Sequence, residues 1–216
     1  MSTKRKIAAI AQLRSTSNKV ENLTKVAECA RLAKGKGASM LFLPECFGFI
    51  GESSEQTLAH AEEESALTTE DPLNEKYFTA YLRLACSEKS SKPFQQEAPS
   101  IDDASISILD GLRTIAKETA LWISGGGMHI GGAPVDRETG NPRVYNTHVI
   151  IDSNGSLKAI YRKIHLFDVS IPGKVQLRES ATTAPGTALV VCDSPLGRFS
   201  NLASFQINSF GRHVSF

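Results

Sequence analysis

Two segments of the chain carry residue types that do chemistry, and they lie far apart in sequence. Glu45 sits in Leu41-Phe42-Leu43-Pro44-Glu45-Cys46-Phe47, directly after a short apolar run. Such a run reads as a buried strand, and α/β proteins build sites just past the C-terminal ends of such strands. Pro44 fixes one backbone angle and so helps hold the direction of the next side chain. A carboxylate partly withdrawn from water moves towards the range in which it acts as a general base. A surface glutamate opening a loop fits the same position. Lys163 lies in Tyr161-Arg162-Lys163-Ile164-His165-Leu166-Phe167-Asp168, where cations alternate with large apolar side chains. A lysine held partly out of water can hydrogen-bond a developing oxyanion. A strand end with solvated Arg162 and Lys163 accounts for the pattern too. Gly125-Gly126-Gly127 lacks the spacing and the lysine of a nucleotide loop. It reads better as a place where backbone comes close to a site. The histidines at 60, 129, 148, 165 and 213 are too far apart to form a metal-ligand motif.

The elements that must position these residues follow from the patterning. Residues 6–12 form a β-like run. From 20 to 34, Val20, Leu23, Val26, Ala27, Ala30 and Ala33 recur at helical spacing, and Gly35 and Gly37 are natural terminators. Residues 40–43 form a buried strand closed by Pro44. A strand–helix–strand order implies parallel strands with a right-handed crossover. Residues 52–103 change character, with many Glu, Ser, Thr and Lys and with Pro72, Pro93 and Pro99 interrupting. A helix fits 78–86, and 87–100 reads as a loop. A helix over 105–119 carries Ile108, Leu112, Ile115 and Ala116 on one face. Strands are expected at 121–124, ending in the three glycines, at 144–152, at 157–161 and at 190–193, with turns at 131–142 and Asn154-Gly155. The order points to one α/β domain with a mixed sheet.

Composition narrows the function classes. The chain has 216 residues, enough for a single sizeable core, with 24 Lys plus Arg against 23 Asp plus Glu. The charges are mixed rather than blocked, which argues against a nucleic-acid groove. No apolar stretch approaches the roughly 20 residues that span a bilayer, so no membrane partner is expected. Lys4, Arg5 and Lys6 precede only a short apolar stretch and read as the approach to a strand, not as a secretory leader. Cys29, Cys46, Cys86 and Cys192 form no CxxC pair. They are expected as free thiols in a reducing, cytoplasmic compartment.

Taken in order, the motifs resemble those of the nitrilase superfamily, the carbon–nitrogen hydrolases. The resemblance is carried by Leu43-Pro44-Glu45-Cys46-Phe47, by Gly125-Gly126-Gly127 after the Trp122 strand, and by Val144-Tyr145-Asn146-Thr147. Its longest part is Tyr161 through Asp168, continuing through Ile171-Pro172-Gly173 and Glu179-Ser180 to Pro185-Gly186. It covers residues 6–198, with 73–103 standing out as an insertion expected to be exposed, mostly irregular and dispensable. Phe47-Gly48-Phe49-Ile50 and the stretch from Trp122 to Gly127 are most similar to the deaminated-glutathione amidase branch, with the ω-amidases close behind.

The resemblance implies a four-layer α-β-β-α sandwich with its C-terminal part missing here, and a Glu–Lys–Cys triad acting on small amides without metal or organic cofactor. Glu45 matches the general base, and Lys163 the oxyanion-stabilising lysine. Glu179 matches the further glutamate that positions lysine and substrate. A cysteine in the family attacks the amide or nitrile carbon to give a thioester, which water then cleaves. Homo-oligomers are implied for full-length members. Glu45 and Lys163 are accordingly expected to meet at the C-terminal ends of neighbouring strands.

The chain departs from the pattern after Arg198. The family continues into a nucleophile elbow of the type Gly-Leu-x-Val/Ile-Cys-Tyr-Asp, whereas here the sequence reads Phe199-Ser200-Asn201-Leu202-Ala203-Ser204-Phe205-Gln206. The cysteine's slot falls on Ser204, without the neighbours that a simple Cys-to-Ser exchange would preserve. Residues 199–216 therefore read as a divergent tail. Cys46 and Cys192 lack an elbow context and do not replace the nucleophile.

Overall fold

The computed structural model describes residues 6–67, 76–87, 105–173 and 175–200. A short strand β1 (Ala8–Ile10) leads into α1 (Lys19–Gly35), whose N-cap Asn18 accepts a hydrogen bond from the Glu21 amide. The helix buries Val20, Leu23, Val26, Ala27, Ala30 and Ala33, the stripe expected from spacing. Its last carbonyls are met by the Lys36 amide, and Gly37 turns the chain at φ +77°, a conformation that disfavours a side chain. Strand β2 (Met40–Phe42) follows. A short helix α2 (Ser54–Ala59), capped by Ser53, and a 3-10 turn at Glu64–Leu67 were not foreseen in the polar stretch after Glu52.

Helix α3 (Lys76–Ser87) stands where a helix was expected over 78–86, but it is not the exposed segment that reading 73–103 as an insertion implied. Tyr81, Leu82, Ala85 and Cys86 are buried in the main core, between α1 and α4 (Ile108–Thr119). A segment with four such residues spends apolar surface on the fold and is not dispensable. The stretch 88–104 lies outside the described residues. Helix α4 is capped by Ser107, whose side chain accepts from the Asp110 amide.

Strand β3 (Trp122–Ile130) is longer than expected, because it runs through the three glycines instead of ending at them. Strands β4 (Tyr145–Ile151) and β5 (Leu157–Arg162) complete a five-stranded sheet in the order β1-β2-β3-β4-β5. The first three strands are parallel, and β4 is antiparallel to both its neighbours. The fold is mixed α/β, as read from the sequence. Period-2 alternation sends Leu41, Ile123, Val149 and Ile151 towards the helices, and Met40, Phe42, Trp122 and Ile150 to the other face. Helices α1, α3 and α4 cover the first face. Two further hairpins follow: β6 (Asp168–Ile171) with β7 (Val175–Arg178), and β8 (Val191–Ser194) with β9 (Gly197–Ser200). The first was not anticipated. In the second, Phe199 packs against Phe42 with ring centroids 6.2 Å apart, so the start of the expected divergent tail belongs to the domain. The rest of that tail, from 201 onward, lies outside the described residues. No helix among them is long and apolar enough to cross a membrane.

Candidate active site

The topology brings one end of four strands to a single sheet edge. β2 and β5 end there, β3 finishes there, and β4, running the opposite way, begins there. Glu45 follows β2, His129 is near the end of β3, Asn146 opens β4 and Lys163 follows β5. Glu45 and Lys163 do meet, but from strands with β3 and β4 between them rather than from neighbours.

Lys163 Nζ donates to Glu45 Oε1 at 2.9 Å and to Glu179 Oε2 at 3.0 Å. Glu179 stands just after β7, which carries it back over the sheet edge. Its Oε2 also accepts from the Phe167 amide at 2.6 Å. Asn146 Nδ2 donates to Glu45 Oε1 at 2.6 Å and to Glu179 Oε1 at 3.3 Å. Lys163 is held by its backbone as well: its N–H donates to the Asn146 carbonyl, and its carbonyl accepts from Gly186, each at 2.8 Å. The lysine side chain is 4% exposed, against 31% for Glu45 and 19% for Glu179. Burial alone would pull its ammonium towards neutrality, but the hydrogen bonds and charges of Glu45 and Glu179 outweigh it and hold the pKa above the usual lysine value. Lys163 is therefore a fixed cation, and the solvated strand-end reading does not describe it. Arg162 is not simply solvated either, since it lies 4.0 Å over the Tyr145 ring and pairs with Glu64.

The glycine run earns its place by close approach. A Cβ on Gly126 would stand 2.0 Å from the Pro44 carbonyl oxygen, and one on Gly127 would stand 2.0 Å from Asn146 Oδ1. The Gly127 carbonyl accepts from the Cys46 amide at 2.8 Å, which pins the turn that presents Glu45. Cys46 itself adopts a left-handed φ of 55° in that turn. This is a strained position for a non-glycine residue, of the kind that clusters at functional sites.

These residues line a cleft of about 820 Å³, walled also by Ser53, Thr57, Phe167, Leu177, Arg178 and Thr183. Cys46 lies in its wall, which the sequence did not indicate. Burial, then the neighbouring Glu45 carboxylate, push its thiol up to about 11, so it is protonated at neutral pH and a poor nucleophile. Cys29, Cys86 and Cys192 pack in or against the apolar cores, and all four cysteines are free. Ser204 lies outside the described residues. His129 was not singled out from the sequence. Burial holds its imidazole below the usual histidine value, despite Glu179 and Glu45 acting the other way. Asn146 was seen only as part of a motif; the signal available was a polar side chain at the start of a buried strand. Among the described residues no group of His, Cys, Asp and Glu is arranged to hold a metal ion.

Comparison with known proteins matches residues 7–207 to the carbon–nitrogen hydrolase family model, a span that runs past Arg198 into the stretch read as divergent. The chain is 33% identical over 196 residues to the deaminated glutathione amidase of Dictyostelium discoideum, covering 90% of this chain and 54% of that protein. It is 30% identical over 190 residues to the human omega-amidase NIT2, covering 88% of this chain and 51% of that one. Among solved structures, the NitFhit protein of Caenorhabditis elegans superposes with a TM-score of 0.62 at 27% identity, covering 96% of this chain and 40% of that one. The chain thus spans about half the length, or less, of the proteins it matches.

Proposed function

The chain belongs to the carbon–nitrogen hydrolase family, and on that premise we propose that it carries the base and oxyanion side of an amidase site for small ω-amides such as deaminated glutathione. The observation that carries this reading is the shared lysine. A buried ammonium held between two carboxylates, at the rim of a cleft, is poised to act on a carbonyl without losing its own proton. In this reading Glu45 accepts the proton of the attacking thiol. Two of the three Lys163 N–H groups are taken by Glu45 and Glu179, and the third is directed at the oxyanion of the tetrahedral intermediate. Glu179 keeps the lysine in that orientation. The attack forms a carbon–sulfur bond, the amine leaves with a proton, and water cleaves the thioester to give the acid and return the thiol. The cleft is within the usual size range of roughly 300–1,000 Å³ for small-molecule sites.

The 216 residues contain no cysteine in an elbow sequence, and the one cysteine in the cleft wall is held protonated. We therefore expect this polypeptide alone to turn over neither deaminated glutathione nor α-ketoglutaramate. Joined to the elbow and C-terminal half of a family member, it is expected to hydrolyse one of them, and Glu45→Gln or Lys163→Met should abolish that. The test is the pair of assays side by side. Turnover by the unmodified chain that Ser204→Ala removes would overturn the assignment of the nucleophile. A joined, folded protein whose activity survived both substitutions would overturn the roles of Glu45 and Lys163. The same missing elbow favours a second reading, a non-catalytic partner of full-length copies; an inactive chain that co-purifies with and inhibits a full-length amidase would support it.

A further inference from the structure

We propose that Asn146 is a positioning residue, whose side-chain amide holds Glu45 and Glu179 in the arrangement in which both carboxylates engage Lys163. Glu45 and Glu179 arrive on elements 134 residues apart (179 less 45), and they carry like charges beside one cation. Nothing in Lys163 alone decides how two carboxylates divide it. Asn146 is a neutral group that touches both, at 2.6 Å and 3.3 Å. Its orientation follows from chemistry, because an ionised carboxylate only accepts, so the NH2 end must face the pair. Each N–H offsets part of the repulsion between the two carboxylates without competing for charge with the lysine.

The same residue also fixes the lysine from behind, since its carbonyl accepts from the Lys163 N–H at 2.8 Å. One residue thus ties the main chain of the cation and the side chains of both anions. Space for it is reserved by Gly127, whose Cβ would overlap Asn146 Oδ1, and the residue is 4% exposed. A buried side-chain amide whose two N–H groups are both engaged is rigid in a way a water-bridged pair is not. His129, opposite Asn146 in the β3–β4 register, and Cys46, Glu52 and Arg178 line the same cleft as its other charged and titratable groups. The proposal serves the amidase reading but is tested without turnover, so the two can fail separately.

The experiment is competitive acetylation of the folded chain at one pH, read by mass spectrometry at Lys163 and Lys19. Lys19 is the internal reference: it is 2% exposed, donates to the Ile106 carbonyl and does not line the cleft. Only the unprotonated amine reacts, so loosening the carboxylates from Lys163 raises its labelling. Asn146→Ala is expected to raise the Lys163-to-Lys19 ratio about tenfold, the equivalent of roughly one pKa unit. Asn146→Asp keeps the shape but sets a third carboxylate beside the ammonium, and should lower the ratio below that of the unmodified chain. A ratio within about twofold of the original in Asn146→Ala would overturn the proposal. So would a rise at both lysines in both variants, which is general loosening of the fold. If the alanine variant does not melt cooperatively, the aspartate variant decides alone, and a ratio at or above the original overturns it.

Discussion

The two faces of the five-stranded sheet are built to different depths. On one, α1, α3 and α4 enclose Leu23, Leu41, Leu82, Leu109, Leu112, Ile115 and Ile123, all at most 2% exposed. On the other, among the described residues, four buried ones, Met40, Ile150, Ala159 and Cys192, form a cluster under the hairpin β8–β9. Its rim is open: Ile10 is 85% exposed, Leu189 74% and Val191 61%. Burial of apolar surface is the dominant stabilising term, so the helical face must hold most of the folding free energy. The cleft sits at the edge where the faces meet, anchored to the deep side through Pro44, Gly126 and Phe47. By alternation along β4, Asn146 points to the same thin face as His148 and Ile150, so the site opens on the thin side, and the same face carries the hydrogen-bonded pair Ser124 and His148.

The largest test of this contrast is packing. Leu112→Ala, on the helical face, is expected to cost about 3–5 kcal/mol by urea denaturation, from lost transfer and an unrelaxed cavity. Val191→Ala on the hairpin should change stability by about 0.5 kcal/mol or less. Equal losses would show that the thin face carries as much of the fold as the thick one. Next comes the edge between them. Lys163→Met leaves Glu45 and Glu179 facing each other without their cation, and is expected to cost about 2–3 kcal/mol. Breaking a buried pair costs roughly 3–5 kcal/mol, and the partial exposure of both carboxylates reduces that figure. Stability unchanged in Lys163→Met would mean that the ion pairs contribute nothing net in the folded chain.

Much of this was legible in the sequence where periodicity or motif order carried it. The stripe from Val20 to Ala33 gave α1, and alternation gave β4 and β5, because the same side chains that set the pattern are the ones buried. Glu45 and Lys163 were placed at strand ends correctly, but their meeting depends on the order of strands in the sheet, which spacing along the chain does not encode. Helix α3 is legible as a helix over 78–86, but its burial is not, because its apolar stripe is set in a polar, proline-bearing neighbourhood that dominates any composition window. Strand β3 was cut short at Gly125 because glycine usually ends a strand. The next two glycines, Gly126 and Gly127, are required by Pro44 and Asn146, which approach from 82 (126 less 44) and 19 (146 less 127) residues away in sequence, and local reading cannot see them. Asn146 and His129 were missed for the same reason: each matters through what stands beside it in space.

The smallest expected effect concerns acid, and it belongs to the thin face. His148 Nε2 is 2.8 Å from Ser124 Oγ, opposite the fully buried Tyr161 in the β4–β5 register. Burial pushes its pKa down to about 4, from the 6.5 of an unperturbed histidine. A lowered folded-state pKa means that the unfolded chain binds the proton more readily between those two values. Stability is therefore intact above pH 6.5 and is lost as pH falls through 6.5 towards 4, below which the loss is complete. Integrated from pH 7 to pH 5, this linkage costs about 2 kcal/mol, from 1.36 kcal/mol per pKa unit. His148→Gln keeps a polar partner for Ser124 and cannot take up the proton. Its stability difference from the unmodified chain should shrink by about that amount between pH 7 and pH 5, measured by urea denaturation at each pH. Cys192, the hairpin residue buried over the same face, gives a second handle. If β8–β9 is what keeps water from His148, Cys192→Ser should raise the histidine's pKa towards 6.5 and reduce the acid loss. Parallel acid limbs in all three proteins would instead place the proton-linked loss elsewhere, and the thin face would then be thin without being sensitive to acid.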